Sequence, residues 1–172
     1  MITRIDTHPR YLRKSKIPLM IVCGPPCSGK TTYAQNHKAD GDWIIDLDVI
    51  QSQLDPNFRP WLETNFRSLR RAINLRNQML VKLTGLEKGK AFFIVSAPTR
   101  NERDWWQLHL GGEVVLLSVA SEECKRRAIA RGTPQAVQGI DDWFAKSEQF
   151  WVQPQYHQAI AEDGWPRDDD DR

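Results

Sequence analysis

Residues Leu19–Ala34 read LMIVCGPPCSGKTTYA, and this stretch decides the fold. Leu19–Cys23 is a short apolar run with β-branched members, the pattern of a buried strand. Gly24-Pro25-Pro26-Cys27-Ser28-Gly29-Lys30-Thr31 then meets the spacing G-x-x-x-x-G-K-[ST] at every fixed position. Gly24 and Gly29 permit backbone conformations that a Cβ would penalise, so consecutive N–H groups turn inward around a phosphate. A helix starting near Lys30 adds the positive end of its dipole. The spacing predicts that Gly24–Thr32 cradles ATP or another nucleoside triphosphate. Lys30 would reach the β- and γ-phosphates and the Thr31 hydroxyl would ligate Mg²⁺.

The remaining sequence is ordinary for a soluble protein. Its 172 residues are 40% hydrophobic and 27% charged, enough for one sizeable core. No apolar run approaches membrane-spanning length and no apolar signal core opens the chain, so a cytoplasmic protein is expected. Cys23, Cys27 and Cys124 form no metal-ligand pattern and leave an odd count, which suits a reducing compartment. The net charge is +2, but the tail Asp168–Arg172 carries four aspartates and one arginine, leaving +5 on residues 1–167. That excess suits an anionic substrate and is too small to argue nucleic acid by itself. The expected organisation is one domain over 1–167, with a basic lead-in over 1–18 and an acidic, solvated tail over 168–172. Oligomeric state is not encoded in any visible pattern.

Outward from the glycine-rich loop, strands and helices alternate. A helix over Lys30–His37 ends before Asp40-Gly41, and Trp43–Asp48 reads as a strand with an acidic end. A short helix over Val49–Leu54 stops at Asp55-Pro56. From Trp61 to Leu86 the spacing of Leu62, Phe66, Leu69, Ile73, Leu80 and Leu83 predicts one long helix, with Arg67, Arg70, Arg71 and Arg76 largely off its apolar stripe. Ala91–Ser96 is a third strand, Asn101–Leu110 a helix, and Glu113–Val119 a fourth strand. Ser121 is placed to cap a helix through Arg131, with Glu122 and Glu123 at its positive end. Thr133–Gly139 reads as a polar loop and Asp141–Val152 as a helix. No fifth strand is evident beyond it, although Ile2–Ile5 alternates and offers an edge strand. The result is an α/β fold: a parallel sheet of four to five strands, right-handed crossovers and a helical lid over about 125–140.

In such sheets the site lies beyond the strand C-termini. That edge collects the loop, Asp46 and Asp48, Ser96–Arg103 and Ser121–Arg131. One strand-end carboxylate, Asp46, would orient Mg²⁺, and Asp48 would accept a proton from a substrate hydroxyl; helix capping is the plainer role for either. Arg127 and Arg131, four apart on one helix face, would neutralise charge developing on a triphosphate; a solvated basic helix is the alternative. Arg100, Arg103, Arg67 and Arg71 are candidate contacts to an anionic acceptor, with surface charge the competing account. Trp61, Trp105 and Trp106 are the tryptophans placed to stack on a base.

Taken together, GPPCSGKTT at 24–32, DLDVIQSQL at 46–54 and ASEECKRRAIARG at 120–132 resemble the P-loop kinase superfamily over residues 19–150. The likeness is to small members such as polynucleotide kinase, zeta toxins and gluconate or shikimate kinases. The resemblance implies a three-layer P-loop NTPase fold and transfer of a γ-phosphate to the hydroxyl of a small or nucleotide-like acceptor. It assigns the phosphates to Lys30, Mg²⁺ to Thr31, base catalysis to Asp48 and the lid to Arg127 and Arg131. Polynucleotide-kinase-like members commonly carry Arg where this chain has Gln51, which weakens nucleic acid as acceptor. Strand three ends at Ser96 without the acid that ATPase motors place there. The rivals are a 5′-hydroxyl polynucleotide kinase and a non-catalytic ATP-dependent binding module. In a calorimetric titration Lys30→Ala is expected to abolish ATP binding. Asp48→Asn is expected to bind ATP normally and to lose phosphate transfer, and full transfer by that variant removes Asp48 as the base.

Overall fold

The computed structural model describes residues 5–62, 65–148 and 157–160. Five strands form one all-parallel sheet: β1 (Leu19–Cys23), β2 (Trp43–Asp46), β3 (Ala91–Val95), β4 (Glu113–Ser118) and β5 (His157–Ile160). Their order is β2-β3-β1-β4-β5, so the strand leading into the glycine-rich loop lies at the centre. The register sets Ile21 between Phe93 and Val114, and Val22 between Ile94 and Val115.

Strand alternation then divides the core into two layers. Leu19, Ile21, Phe93, Val114 and Leu116 pack with Leu80, Leu83, Trp106 and Leu110 on one face. Val22, Phe92, Ile94, Val115 and Leu117 pack with Ala34 on the other. Each fully buried side chain of this size contributes roughly 1.5–3 kcal/mol relative to exposure. The helices are α1 (Lys30–His37), α2 (Leu47–Leu54), α3 (Phe66–Lys82), α4 (Arg100–Leu110), α5 (Ser121–Ala130) and α6 (Ala136–Glu148). A third cluster, Val119, Cys124, Ala128, Ala136 and Ile140, joins α5 to α6. No described helix is long and apolar enough to cross a membrane.

Several boundaries differ from the expectation, each for a local reason. β2 stops at Asp46 because its Oδ1 accepts the Asp48 N–H at 3.0 Å and caps α2, which begins at Leu47. α3 begins at Phe66, where Asn65 Oδ1 accepts the N–H groups of Arg67 and Ser68. Leu62 and Phe66 consequently leave the predicted stripe and are exposed. Ser121 is the first residue of α5 and makes no cap; Ala120 occupies that position. Residues 136–139 belong to α6 rather than to a polar loop. The fifth strand is His157–Ile160, beside β4. The expected edge strand at Ile2–Ile5, the end of the helix at Gln149–Val152 and the acidic tail fall at or outside the limits of the described residues.

The largest correction concerns Arg76. It is buried, not off the stripe, donating to the Thr7 carbonyl at 2.7 Å and to Asn77 Oδ1 at 2.9 Å. Its guanidinium stands 5.3 Å from the Trp106 ring centroid, and burial lowers its pKa to about 10. Arg76 and Asn77 thus tie the lead-in at Asp6 and Thr7 to α3.

Gly112 has φ +82, and a Cβ there would lie 2.4 Å from the Leu19 carbonyl oxygen. Gly132 has φ +72 with nothing within 4 Å of the same position. Gly112→Ala is expected to destabilise the fold by roughly 3–5 kcal/mol and Gly132→Ala by about 1 kcal/mol. Urea unfolding of both variants measures the difference, and equal losses contradict the close approach of β4 to β1.

Candidate active site

The turn out of β1 is built for close approach. A Cβ on Gly24 would meet Ser28 Oγ at 2.8 Å and the Leu117 carbonyl oxygen at 3.3 Å. Cys27 (φ 61) and Gly29 (φ 94) adopt left-handed conformations that curl the loop. Gly29 precedes α1 without any side-chain cap, so the amides of the first turn keep no side-chain partner. Ser28 Oγ is buried and has no hydrogen-bond partner. A buried hydroxyl without a partner is uncommon. Here it lies inside the loop that a phosphate would fill.

Lys30 turns back over the same loop, its Nζ donating to the Gly24 carbonyl at 2.9 Å and to that of Pro25 at 2.8 Å. Burial lowers its pKa, against the raising effects of Cys23, Asp48 and Asp46. Thr31 Oγ1 donates to Asp46 Oδ2 at 2.9 Å, bringing α1 and the end of β2 together. Asp46 therefore caps α2 with one oxygen and meets Thr31 with the other. Asp48, in the first turn of α2, is exposed as a residue, yet protein crowds its carboxyl enough to push its pKa up; the Asp46 charge adds to this and Lys30 opposes it. Two hard oxygen donors beside the loop fit Mg²⁺, which takes one or two protein ligands and fills its shell with phosphate and water. Among the described residues no three His, Cys, Asp or Glu side chains converge as a metal cage.

From the opposite side α5 brings Arg127 over the loop. Its Nη1 lies 3.4 Å from the Ser28 carbonyl oxygen and 3.5 Å from that of Cys27. Its Nε donates to Glu123 Oε1 at 2.8 Å. Glu123, visible in the sequence only as an acid at the helix start, thus positions Arg127. Its i,i+4 spacing was the available signal. Hydrogen bonds from Arg126 and then Arg127 hold the Glu123 carboxyl down at about 2.

The other arginines divide. Arg131 stands exposed at the C-cap of α5. Arg103 is buried and donates to the Ala97 and Pro98 carbonyls at 2.8 and 2.9 Å. It secures the exit of β3, and its burial corrects the expectation of a surface charge there. Arg100 pairs with Asp104 at 3.5 Å on α4. Arg67 and Arg71 are exposed on α3. Gln51 is buried and donates to Ser68 Oγ at 3.0 Å, tying α2 to α3. Of the three tryptophans singled out, Trp105 and Trp106 pack edge to face at 4.9 Å, and Trp61 borders a cleft of about 410 Å³. That cleft opens beyond the end of β3, between Pro26 of the loop, Trp61 and α6.

A sequence profile of the AAA domain family matches residues 19–149. The chain belongs to this family. Its fold is that of the P-loop kinases. The structure is similar to the tunicamycin resistance protein of Deinococcus radiodurans, with a TM-score of 0.54, 18% identity and coverage of 77% of this chain and 81% of that one. It is similar to a gluconokinase from Sinorhizobium meliloti 1021, with a TM-score of 0.52, 15% identity and coverage of 88% and 86%. A sugar kinase from Janibacter sp. HTCC2649 gives 0.52, 17%, and 84% of both chains. At these identities the likeness is one of fold. No curated protein matches significantly by sequence.

Within this member of the AAA domain family, Glu123→Gln is expected to weaken ATP binding roughly tenfold by releasing Arg127 from its charged anchor. With a depressed folded pKa, the Glu123 contribution is complete above its ordinary 4.5 and is lost as pH falls towards 2. ATP titrations between pH 5.5 and 8 are therefore expected to show no step from this pair. A step in that interval that Glu123→Gln abolishes contradicts the assignment.

Proposed function

We propose that this chain is a phosphotransferase that uses ATP and Mg²⁺ to phosphorylate a hydroxyl group on a small acceptor. The observation that carries it is the meeting of Thr31 and Asp46 at 2.9 Å beside the Lys30 loop, with Asp48 two residues further on in the first turn of α2. That grouping puts a phosphate cradle, a pair of metal-fitting oxygens and a carboxylate that feels both the Asp46 and Lys30 charges within one corner of the sheet.

Phosphoryl transfer needs positioning and charge neutralisation more than covalent help from the protein. The amides of Gly24–Thr32 hold the phosphate oxygens, and Lys30 exchanges its two loop carbonyls for the β- and γ-phosphates. Thr31 and Asp46 would hold Mg²⁺, which supplies charge neutralisation between the phosphates when bound. Asp48 orients the acceptor hydroxyl and takes its proton. A carboxyl raised above the ordinary aspartate value is a better base than an unperturbed one. Arg127, steadied by Glu123, adds positive charge on the far side of the loop, and Arg131 extends that charge along the α5–α6 lid.

Nucleic acid as acceptor draws less support. Gln51 is consumed by Ser68, Arg103 by the β3 exit, and Arg100 by Asp104. An ATP-dependent binding module without chemistry leaves Asp48 without a function.

Labelled ATP with a panel of nucleosides, nucleotides, oligonucleotides and sugars tests the proposal. Labelled acceptor is expected from at least one small hydroxyl compound, and ATP binding without transfer to any acceptor overturns it. Since Asp48 acts deprotonated, the rate is expected to fall on the acid side with a midpoint above 3.8, the ordinary value. An acid limb at or below that value contradicts base catalysis by Asp48.

A further inference from the structure

The cleft beyond β3 is walled by rings. Trp61, Trp106, Trp143 and His8 line it, with Pro26 on the loop side. Its volume of about 410 Å³ lies within the range of small-ligand pockets and matches a molecule of nucleoside size.

Trp61 is the anomalous residue there. It holds φ +69, a left-handed backbone that a bulky side chain adopts only under constraint. Such strain persists where the surroundings enforce it, commonly at ligand sites. The constraint is visible at Gly139 on α6. A Cβ at that position would stand 2.7 Å from the Trp61 ring, so the indole lies directly against the helix backbone. Trp61 as a whole is nevertheless 43% exposed, and it lines the cleft.

The polar groups of the cleft are mostly committed. Arg76 serves Thr7 and Asn77, and Glu102 Oε2 accepts from the Thr99 N–H and hydroxyl, each at 3.0 Å. Trp143 Nε1 donates to the Ser96 carbonyl at 3.0 Å. His8 packs 4.9 Å from Trp106, and burial followed by the Arg76 charge lowers its pKa, so its ring is neutral at neutral pH. Asp142 and Lys146, four residues apart on α6, bring one charge of each sign. The two signs balance, so the cleft has no net positive charge with which to select a phosphate or a carboxylate. It also leaves too few partners for a sugar ring with a hydroxyl on nearly every carbon.

We infer that this cleft is the acceptor site, and that the acceptor is an uncharged nucleoside whose base stacks on Trp61. The assignment of the hydroxyl as phosphate acceptor rests on the phosphotransferase reading above; binding in the cleft does not. The ring face offers stacking area, and Asp142 and Lys146 offer one acceptor and one donor at the rim.

Thymidine, cytidine, adenosine and methyl glucoside are titrated into the full chain by calorimetry, with and without saturating Mg²⁺ and a non-hydrolysable ATP analogue. At least one nucleoside is expected to bind with the analogue present, and methyl glucoside is not. Trp61→Ala is expected to weaken that nucleoside roughly tenfold or more with analogue affinity unchanged. Gly139→Ala removes a glycine from a helix interior, so it is expected to keep or raise thermal stability while displacing the ring and weakening the nucleoside. Analogue binding with no nucleoside binding, or with nucleoside affinity unmoved in both variants, overturns the cleft assignment alone. Nucleoside binding without analogue binding upholds the cleft and overturns the phosphotransferase reading. Binding of neither overturns both.

Discussion

The close packing at Gly24 is the constraint from which the site follows. Its backbone runs so near Ser28 and Leu117 that no side chain fits, and only there can the chain leave the central strand and double back into α1. Once it does, α1 starts without a side-chain cap and the Lys30 ammonium folds back onto the Gly24 and Pro25 carbonyls. Thr31 is then aimed at the end of β2, although β3 separates β2 from β1 in the sheet. The Thr31–Asp46 hydrogen bond therefore reaches past β3 to join the turn after β1 to the end of β2.

Charge in this corner is arranged to be redirected. Lys30 neutralises no single partner; it bonds to two carbonyls near two carboxylates, and a triphosphate offers better acceptors than either carbonyl. Arg127 approaches the loop at 3.4 to 3.5 Å, long for such contacts, whereas its bond to Glu123 is 2.8 Å. The closest of these contacts is therefore the one to Glu123. α5 and α6 pack through the small side chains of Cys124, Ala128 and Ala136 together with Ile140.

The sequence disclosed the loop, the central strands and the acids after β2 because each carries a local signature: fixed glycines, short apolar runs, strand-end carboxylates. What it hid depends on long-range partners. Arg76 reads as an off-stripe charge and Arg103 as an acceptor contact or surface charge; Arg76 is buried against the distant Thr7 carbonyl, and Arg103 against the Ala97 and Pro98 carbonyls of the turn before α4. Periodicity cannot see a carbonyl 69 residues away. β5, reading HQAI, lacks the apolar run that marks an interior strand; it lies at the sheet edge, where that demand relaxes. The aromatic cleft was invisible for the same reason. Trp61 was singled out, but its seat on Gly139 joins residues 78 positions apart.

The central claim is that the inward-facing amides after β1 grip a triphosphate. Nuclear magnetic resonance spectra of the backbone amides, recorded during titration with Mg²⁺ and a non-hydrolysable ATP analogue, test it most directly. The account predicts that the largest shifts fall on Gly24 and Cys27–Thr32 and saturate together. Saturation of binding with those amides unmoved, and the shifts gathered elsewhere on the molecule, would contradict it.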